Sequence, residues 1–343
     1  MADHTMDDNV RCSRDGAIGV IELNRPHALN SLTPDMITAI ASALEEWERD
    51  DSIRSIALRS TSSKAFCAGG DVRWVRGSDA ASGYAPGDQF FEDEYRLNLR
   101  LATFPKPITA HIDGIVMGGG LGLAAHVPHR HITPRALAAM PECAIGFIPD
   151  VGMSYVLTHL TMEEDNHDDA RSGEGGTRSL PMGLFLGVTG YRQTPADMLF
   201  TGLATDCVGS PEERDQLGPL FLKQHAAAID ELFRGEEWSE IEERLNSAPA
   251  NQEEQDVQEY CAAALQQANP TSVVATFELL RRSAKTDLPT ALANELMLAK
   301  ALRREPNFSE GVRAVLVDKD HAPQFFPPST EDVDGQRWRQ FLK

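Results

Sequence analysis

The chain has 343 residues, 41% of them hydrophobic and 24% charged, with a formal net charge of −20 at pH 7. That length buries a sizeable core in one large domain or two smaller ones, and the composition is ordinary for a soluble globular protein. So acidic a surface argues against nucleic acid and anionic membrane as general partners, while leaving room for a local basic spot facing a phosphorylated ligand.

The five cysteines (Cys12, Cys67, Cys143, Cys207, Cys261) are scattered, odd in number and never in a Cys-x-x-Cys pair. This predicts a reducing compartment, cytoplasm or organelle matrix, and argues against a disulfide framework or a zinc site. The acidic, polar start is unlike a signal peptide, and no apolar run reaches the roughly 18 residues of a membrane span.

In chain order, alternation over Ala17–Leu23 predicts a strand that ends in the turn Asn24-Arg25-Pro26. Thr33-Pro34 then supplies an N-cap and an N1 proline before Met36, Ile37, Ile40, Leu44 and Trp47, which have helical spacing. Ile53–Leu58 reads as a second strand, followed by the loop Ala65–Asp71. Residues 76–89, rich in Gly, Ser, Ala and Asp, read as a mobile loop. Phe90–Thr103 is predicted helical, Ile108–Val116 a strand, and Gly118–Ala125 the opening of another helix. Strand, helix and strand alternate, which predicts an α/β core with parallel strands. Residues 161–179 are polar, glycine-rich and aperiodic, and read as a surface insertion. Thr194-Pro195 caps a further helix, and from about residue 211 the pattern is charged and helical, with Pro270-Thr271-Ser272 capping Val273–Ser283. The expected organisation is a core over 1–210 and a helical C-terminal region over 211–343.

Two glycine-rich loops dominate the chemistry: Ala68-Gly69-Gly70-Asp71 after one strand and Gly118-Gly119-Gly120-Leu121-Gly122 after another. Glycines clear a backbone path to a ligand, and two such loops can offer two N–H groups to one developing oxyanion. Pro141-Glu142 and Pro149-Asp150-Val151-Gly152 follow and add carboxylates that can move protons or attack. Other readings exist. Gly120-x-Gly122-x-x-Ala125 with Glu142 about twenty residues on mimics a dinucleotide fingerprint, but two strands and the Gly69-Gly70 loop precede it. His126, His129 and His131 are dense enough to resemble metal ligands, yet no second cluster completes a tetrahedral set, so a histidine-rich surface turn is expected and no metal.

Taken together, Leu23–Leu32, Ala65–Asp71 and His111–Gly120 resemble the crotonase, or enoyl-CoA hydratase/isomerase, superfamily in order and spacing. The resemblance implies a ββα spiral core, an acyl-CoA thioester substrate and an oxyanion hole from the N–H groups of Gly70 and Gly119. Each such donor is worth about 2.7–4 kcal/mol where charge develops on a thioester oxygen. It also implies a pantetheine path past Ala28, Leu29 and Ala68. Hydratases of this family carry two glutamates, one just after the triple glycine and one in the Pro-Glu motif; here the first position is Gly122 and the second is Glu142. Instead Met140–Gly152, Phe91–Asn98 and Glu310–Asp320 resemble the 3-hydroxyisobutyryl-CoA hydrolase subfamily, which extends the likeness to nearly the whole chain.

That subfamily implies Glu142 as nucleophile or general base, Asp150 as acid or water-orienting group, and Glu94 at the acyl end of the substrate. It implies hydrolysis of a short 3-hydroxyacyl-CoA, as in valine catabolism, with no cofactor, coenzyme A being part of the substrate. Arg313 and Lys319 are open to two readings, CoA phosphate contacts or internal ion pairs. Met153-Ser154 stands where such relatives have two more glycines, which predicts an altered acyl pocket. Relatives form trimers or dimers of trimers, so a homo-oligomer is an open expectation. Two rival functions also stay open, an isomerase working through Glu142 alone and a non-catalytic acyl-CoA binder.

Overall fold

The computed structural model describes residues 8–162, 179–214 and 217–343. The expected insertion at 161–179 therefore falls almost wholly outside the described residues. No helix among them is long and apolar enough to cross a membrane.

The chain forms two compact units. One holds residues up to Ala139 together with Asp150–Gly152 and Ala204–Leu217; the other holds Met140–Pro149, Met153–Leu203 and Gly218–Lys343. These boundaries differ from a division at residue 210, because most of 140–203 packs with the later helices.

The first unit is built on β1 (Val10–Asp15), β2 (Ile18–Leu23), β3 (Ser55–Ser60), β4 (Ala65–Cys67), β5 (Ile108–Ile112), β6 (Ile115–Met117), β7 (His129–Ile132), β8 (Leu137–Ala139) and β9 (Asp206–Cys207). A larger sheet runs β1-β2-β3-β5-β7-β9 and a smaller one β4-β6-β8. All pairings are parallel except β1 with β2. Each step places a long strand in the first sheet, turns a corner, and places a short strand in the second, so β3, β5 and β7 climb together with β4, β6 and β8. This is the expected ββα spiral.

The corner explains why one predicted strand over Ile108–Val116 is in fact two. Gly114 has φ +70, and a Cβ there would stand 2.3 Å from the Lys64 carbonyl oxygen, so only glycine turns the chain between sheets at this point.

Helix α1 (Pro34–Glu48) forms as its caps predict, with the Thr33 hydroxyl accepting from Met36 N at 3.3 Å. Its apolar face is buried, and the Trp47 ring lies over β2 where a Cβ on Gly19 would come within 2.5 Å of it. Residues 76–89 are not a loop. They form most of α2 (Val72–Ser82) and the first turns of α3 (Ala85–Ala102). Asp71 caps α2 by accepting from Trp74 N at 3.2 Å, and Pro86 sits in the first turn of α3. Caps outweigh a loop-like composition here. Helix α4 (Gly119–Ala124) follows β6.

The second unit is helical. Thr194 and Asp197 form a reciprocal capping box at Pro195–Phe200. Asn269, one residue before the expected cap, caps Pro270–Ser283 by accepting from Ser272 N at 2.8 Å.

Candidate active site

In the first unit the segment after β2 is fastened to the loop after β4. Leu29 and Asn30 take left-handed conformations, φ 51 and 57. The buried Asn30 explains them: its Oδ1 accepts from Arg25 N at 2.7 Å while Nδ2 donates to Ser60 Oγ at 2.7 Å and to the Phe66 carbonyl at 3.0 Å. Ala68 N donates to the Leu29 carbonyl at 3.0 Å and Leu32 N to that of Gly69 at 2.8 Å, with an Arg25–Asp71 ion pair at 2.9 Å alongside. Half-buried Ala28, Leu29 and Ala68, expected along one substrate path, are thus held side by side.

The second glycine run divides its labour. Gly118, φ +48, turns the chain out of β6. A Cβ on Gly120 would stand 2.2 Å from the Cys67 carbonyl oxygen, so that glycine lets α4 pack directly on β4. A Cβ on Gly119 would meet Gly70 N at 3.1 Å and Glu94 Oε1 at 2.3 Å. The two backbone N–H groups expected to form an oxyanion hole therefore lie together, and neither has an acceptor among the described residues. Gly119 opens α4, where first-turn N–H groups have no intrahelical partner.

Two carboxyl groups face this corner. Glu94, on α3, is 1% exposed, and its Oε1 has no hydrogen-bond partner among the described residues. Asp150 is 4% exposed, and Tyr95 Oη donates to its Oδ2 at 2.6 Å. Burial holds the Glu94 carboxyl well above the ordinary carboxylate range, and the charge of Asp150 adds to the effect. Burial likewise pushes Asp150 up to about 7, against the Tyr95 hydrogen bond that favours its ionised form. At neutral pH such a pair holds a proton that it can give up.

The backbone after Asp150 is unusual. Val151, a β-branched residue, has φ 55, and half-buried His126 contacts its carbonyl through Nε2 at 2.7 Å. A carbonyl only accepts, so Nε2 carries the proton, and burial keeps this imidazole below its usual pKa. His126 thus stands in a turn but is tied inward, to the loop that carries Asp150. Among the described residues no group of three His, Cys, Asp or Glu is placed to hold a metal ion.

Gly122 is closely packed. A Cβ there would stand 2.7 Å from Val151 Cβ and 2.9 Å from Asn98 Nδ2. The position that carries a hydratase's first glutamate has no room for any side chain.

Glu142 belongs to the second unit, where it opens a short 3₁₀ turn, Glu142–Ile145, behind Pro141. The turn is pinned on several sides. Asn269 N donates to the Cys143 carbonyl at 2.8 Å, and Cys143 Sγ lies 3.4 Å from Thr276 Oγ1. A Cβ on Gly311 would stand 2.4 Å from the Ile145 carbonyl carbon, and one on Gly146 2.5 Å from the Asn307 oxygen. Helices Pro270–Ser283 and Pro306–Val312 therefore fix the Glu142 backbone, and the side chain is 8% exposed. In the same unit Ser154 is fully buried, its N–H donating to Glu295 at 3.0 Å and its hydroxyl engaged with Glu295 and Ser283.

Arg313 takes the internal reading, bridging Glu310, Asp318 and Asp320 at 2.6–2.8 Å. Gly120-x-Gly122-x-x-Ala125 opens a helix of only 6 residues, with Gly120 used for packing on Cys67 rather than for a pyrophosphate. The sequence assigns no role of their own to Tyr95 and Asn98, and it reads His126 only as part of a histidine-rich turn. For Asn98 a signal existed, since it follows Glu94 by one helical turn.

Known proteins resemble this chain over nearly its whole length. Proteins named 3-hydroxyisobutyryl-CoA hydrolase, mitochondrial, are 36% identical in Danio rerio, covering 94% of this chain and 86% of the relative. In Homo sapiens the identity is 34%, covering 100% and 91%. Crystal structures of an enoyl-CoA hydratase from Rhodobacter sphaeroides 2.4.1 and a carnitinyl-CoA dehydratase from Mycobacterium thermoresistibile superpose with TM-scores of 0.84 and 0.82. Each is 31% identical, covering 97% and 98% of this chain respectively and 97% of the solved chain. The family model described as enoyl-CoA hydratase/isomerase matches residues 18–218 and 210–342. From its spiral core through its C-terminal helices, the chain belongs to the enoyl-CoA hydratase/isomerase family.

Proposed function

We propose that this protein hydrolyses the thioester of a short 3-hydroxyacyl-CoA, with 3-hydroxyisobutyryl-CoA as the first substrate to test, giving the free acid and coenzyme A. The observation that carries this is the filled space at Gly122. Addition of water to a double bond by the family's pair of glutamates uses a second carboxylate at that position, and Val151 and Asn98 leave no room for one. The names of the curated relatives point the same way.

In this reading the thioester oxygen accepts from the N–H groups of Gly70 and Gly119, and the pantetheine passes Ala28, Leu29 and Ala68. Glu142 attacks the carbonyl carbon, the carbon–sulfur bond breaks, and water opens the resulting anhydride; or Glu142 takes a proton from the attacking water. Asp150, held by Tyr95 on Oδ2, supplies the proton that the departing thiolate needs, and Glu94 borders the acyl group. All steps run on the chain's own residues, and no cofactor is assigned. The acidic surface supports neither nucleic acid nor membrane as a partner, and the scattered cysteines support a reducing compartment, cytoplasm or an organelle matrix, the relatives' names carrying the word mitochondrial.

The test is release of free thiol from 3-hydroxyisobutyryl-CoA, 3-hydroxypropionyl-CoA, crotonyl-CoA and acetyl-CoA. Fast release from the hydroxyacyl esters is expected, with Glu142→Gln about 10³-fold slower at nearly unchanged ester binding. The names of the two solved relatives favour a second reading, hydration or dehydration. Hydration of crotonyl-CoA without thiol release would establish it. Single turnover in oxygen-18 water separates the two Glu142 routes, because label in its carboxylate demands the anhydride.

A further inference from the structure

Asn98 is fully buried, yet neither its Nδ2 nor its Oδ1 has a hydrogen-bond partner among the described residues. It lies on α3 one turn after Glu94, and its Nδ2 fills the side-chain space of Gly122 beside Val151. The fold gains nothing from a bare amide there. Leucine has nearly the same shape without the desolvation penalty that an unpaired donor and acceptor carry. A buried polar group with no internal partner, in a corner shared with Glu94 and the oxyanion glycines, is placed for a ligand atom.

The chemistry of that atom follows from the amide. A carboxamide both donates and accepts, and a hydroxyl does the same, so one hydroxyl satisfies both halves of Asn98. The spacing agrees. Gly122 lies one turn of α4 beyond Gly119, about 4.5 Å along the axis. A hydroxyl on the third acyl carbon sits about 3.7 Å from the thioester carbonyl carbon, given ordinary bond lengths. A carbonyl held at Gly119 therefore brings a 3-hydroxyl toward Asn98.

We infer that the Asn98 carboxamide recognises the 3-hydroxyl of the acyl chain, Oδ1 accepting from it and Nδ2 donating to it, and so selects 3-hydroxyacyl over plain acyl thioesters. The inference rests on the thioesterase reading and adds the residue that sets its acyl specificity.

Isobutyryl-CoA lacks only the hydroxyl of 3-hydroxyisobutyryl-CoA, which makes the pair a direct test. For the wild-type protein, kcat/KM for the hydroxy ester is expected to exceed that for isobutyryl-CoA by about 100-fold or more, as in sites built to pair a substrate hydroxyl. Asn98→Leu should lower kcat/KM for the hydroxy ester about 10- to 100-fold and leave isobutyryl-CoA within about threefold. A merely structural asparagine would slow both esters equally, and that result overturns the inference. Equal wild-type rates on the two esters overturn it as well, whether or not the variant folds, and leave the hydrolase reading standing. Absence of thiol release from either ester overturns both.

Discussion

Glu295 and Glu94 are both buried glutamates, 0% and 1% exposed. The first accepts from the Ser154 backbone and hydroxyl, within a cluster that includes Ser283. The second has an oxygen with no donor among the described residues, and it lies against the glycines Gly70 and Gly119. Burial of a carboxylate is tolerated when hydrogen bonds replace water, and Glu295 joins its helices on those terms. Glu94 Oε1 has no such replacement among the described residues, and burial, with the charge of Asp150 adding to it, raises the carboxyl well above the ordinary range. A buried acid with partners reads as structure, and one without them, next to cleared backbone, reads as chemistry.

The contrast can be broken most sharply at Gly119. Gly119→Ala places a methyl 2.3 Å from Glu94 Oε1, so the carboxyl must move and the adjacent N–H is crowded. The expected loss is about 10²–10³-fold in kcat with the fold retained, since the Glu94 side chain must shift and the Gly70 backbone, 3.1 Å away, need give only slightly. Circular dichroism and steady-state kinetics check it.

Asp150→Asn sharpens the electrostatic half. If Asp150 supplies a proton, kcat falls as pH rises through about 7, and the variant loses that limb together with about 10²-fold in rate. Stability also falls as pH rises. The folded protein keeps the Asp150 proton after the unfolded chain has released it, so stability declines from about pH 4 to about pH 7, the ordinary and native values. The asparagine variant should melt about 2–4 °C higher than wild type at pH 8 and at the same temperature at pH 4.

The smallest effect on rate belongs to the structural glutamate. Ser154→Ala leaves Glu295 short of a donor and is expected to cost about 1–3 kcal/mol in a urea titration, with kcat within twofold. A loss of kcat comparable to that of Gly119→Ala would erase the distinction.

Much of this was legible in the sequence because it is local. Thr33-Pro34 marks a helix start, and glycine runs after strands mark cleared backbone. The Pro-Glu and Pro-Asp motifs keep their family spacing. What escaped is set by distant packing. Ile108–Val116 reads as one strand because the demand on Gly114 comes from Lys64, far along the chain. Residues 76–89 read as a loop because composition hides the Asp71 cap of α2 and the proline that starts α3. Asn98 passes for one more polar residue on a helix until Gly122 and Val151 are seen beside it. His126, grouped by density with His129 and His131, is separated from them by its bond to the Val151 carbonyl.

One feature of the larger sheet bears on how the molecule is made. Strand β9 pairs with β7, His131 with Asp206, although most of the residues between them are spent in the other compact unit. On the ribosome the growing chain lays down β7 and departs to begin a second core. It returns to close the first core only when Asp206–Cys207 emerges. Until then β7 is an open parallel edge, able to pair with any strand it meets. Such a nascent chain is a natural client for a chaperone, and truncation just before β9 should yield aggregates rather than a smaller enzyme.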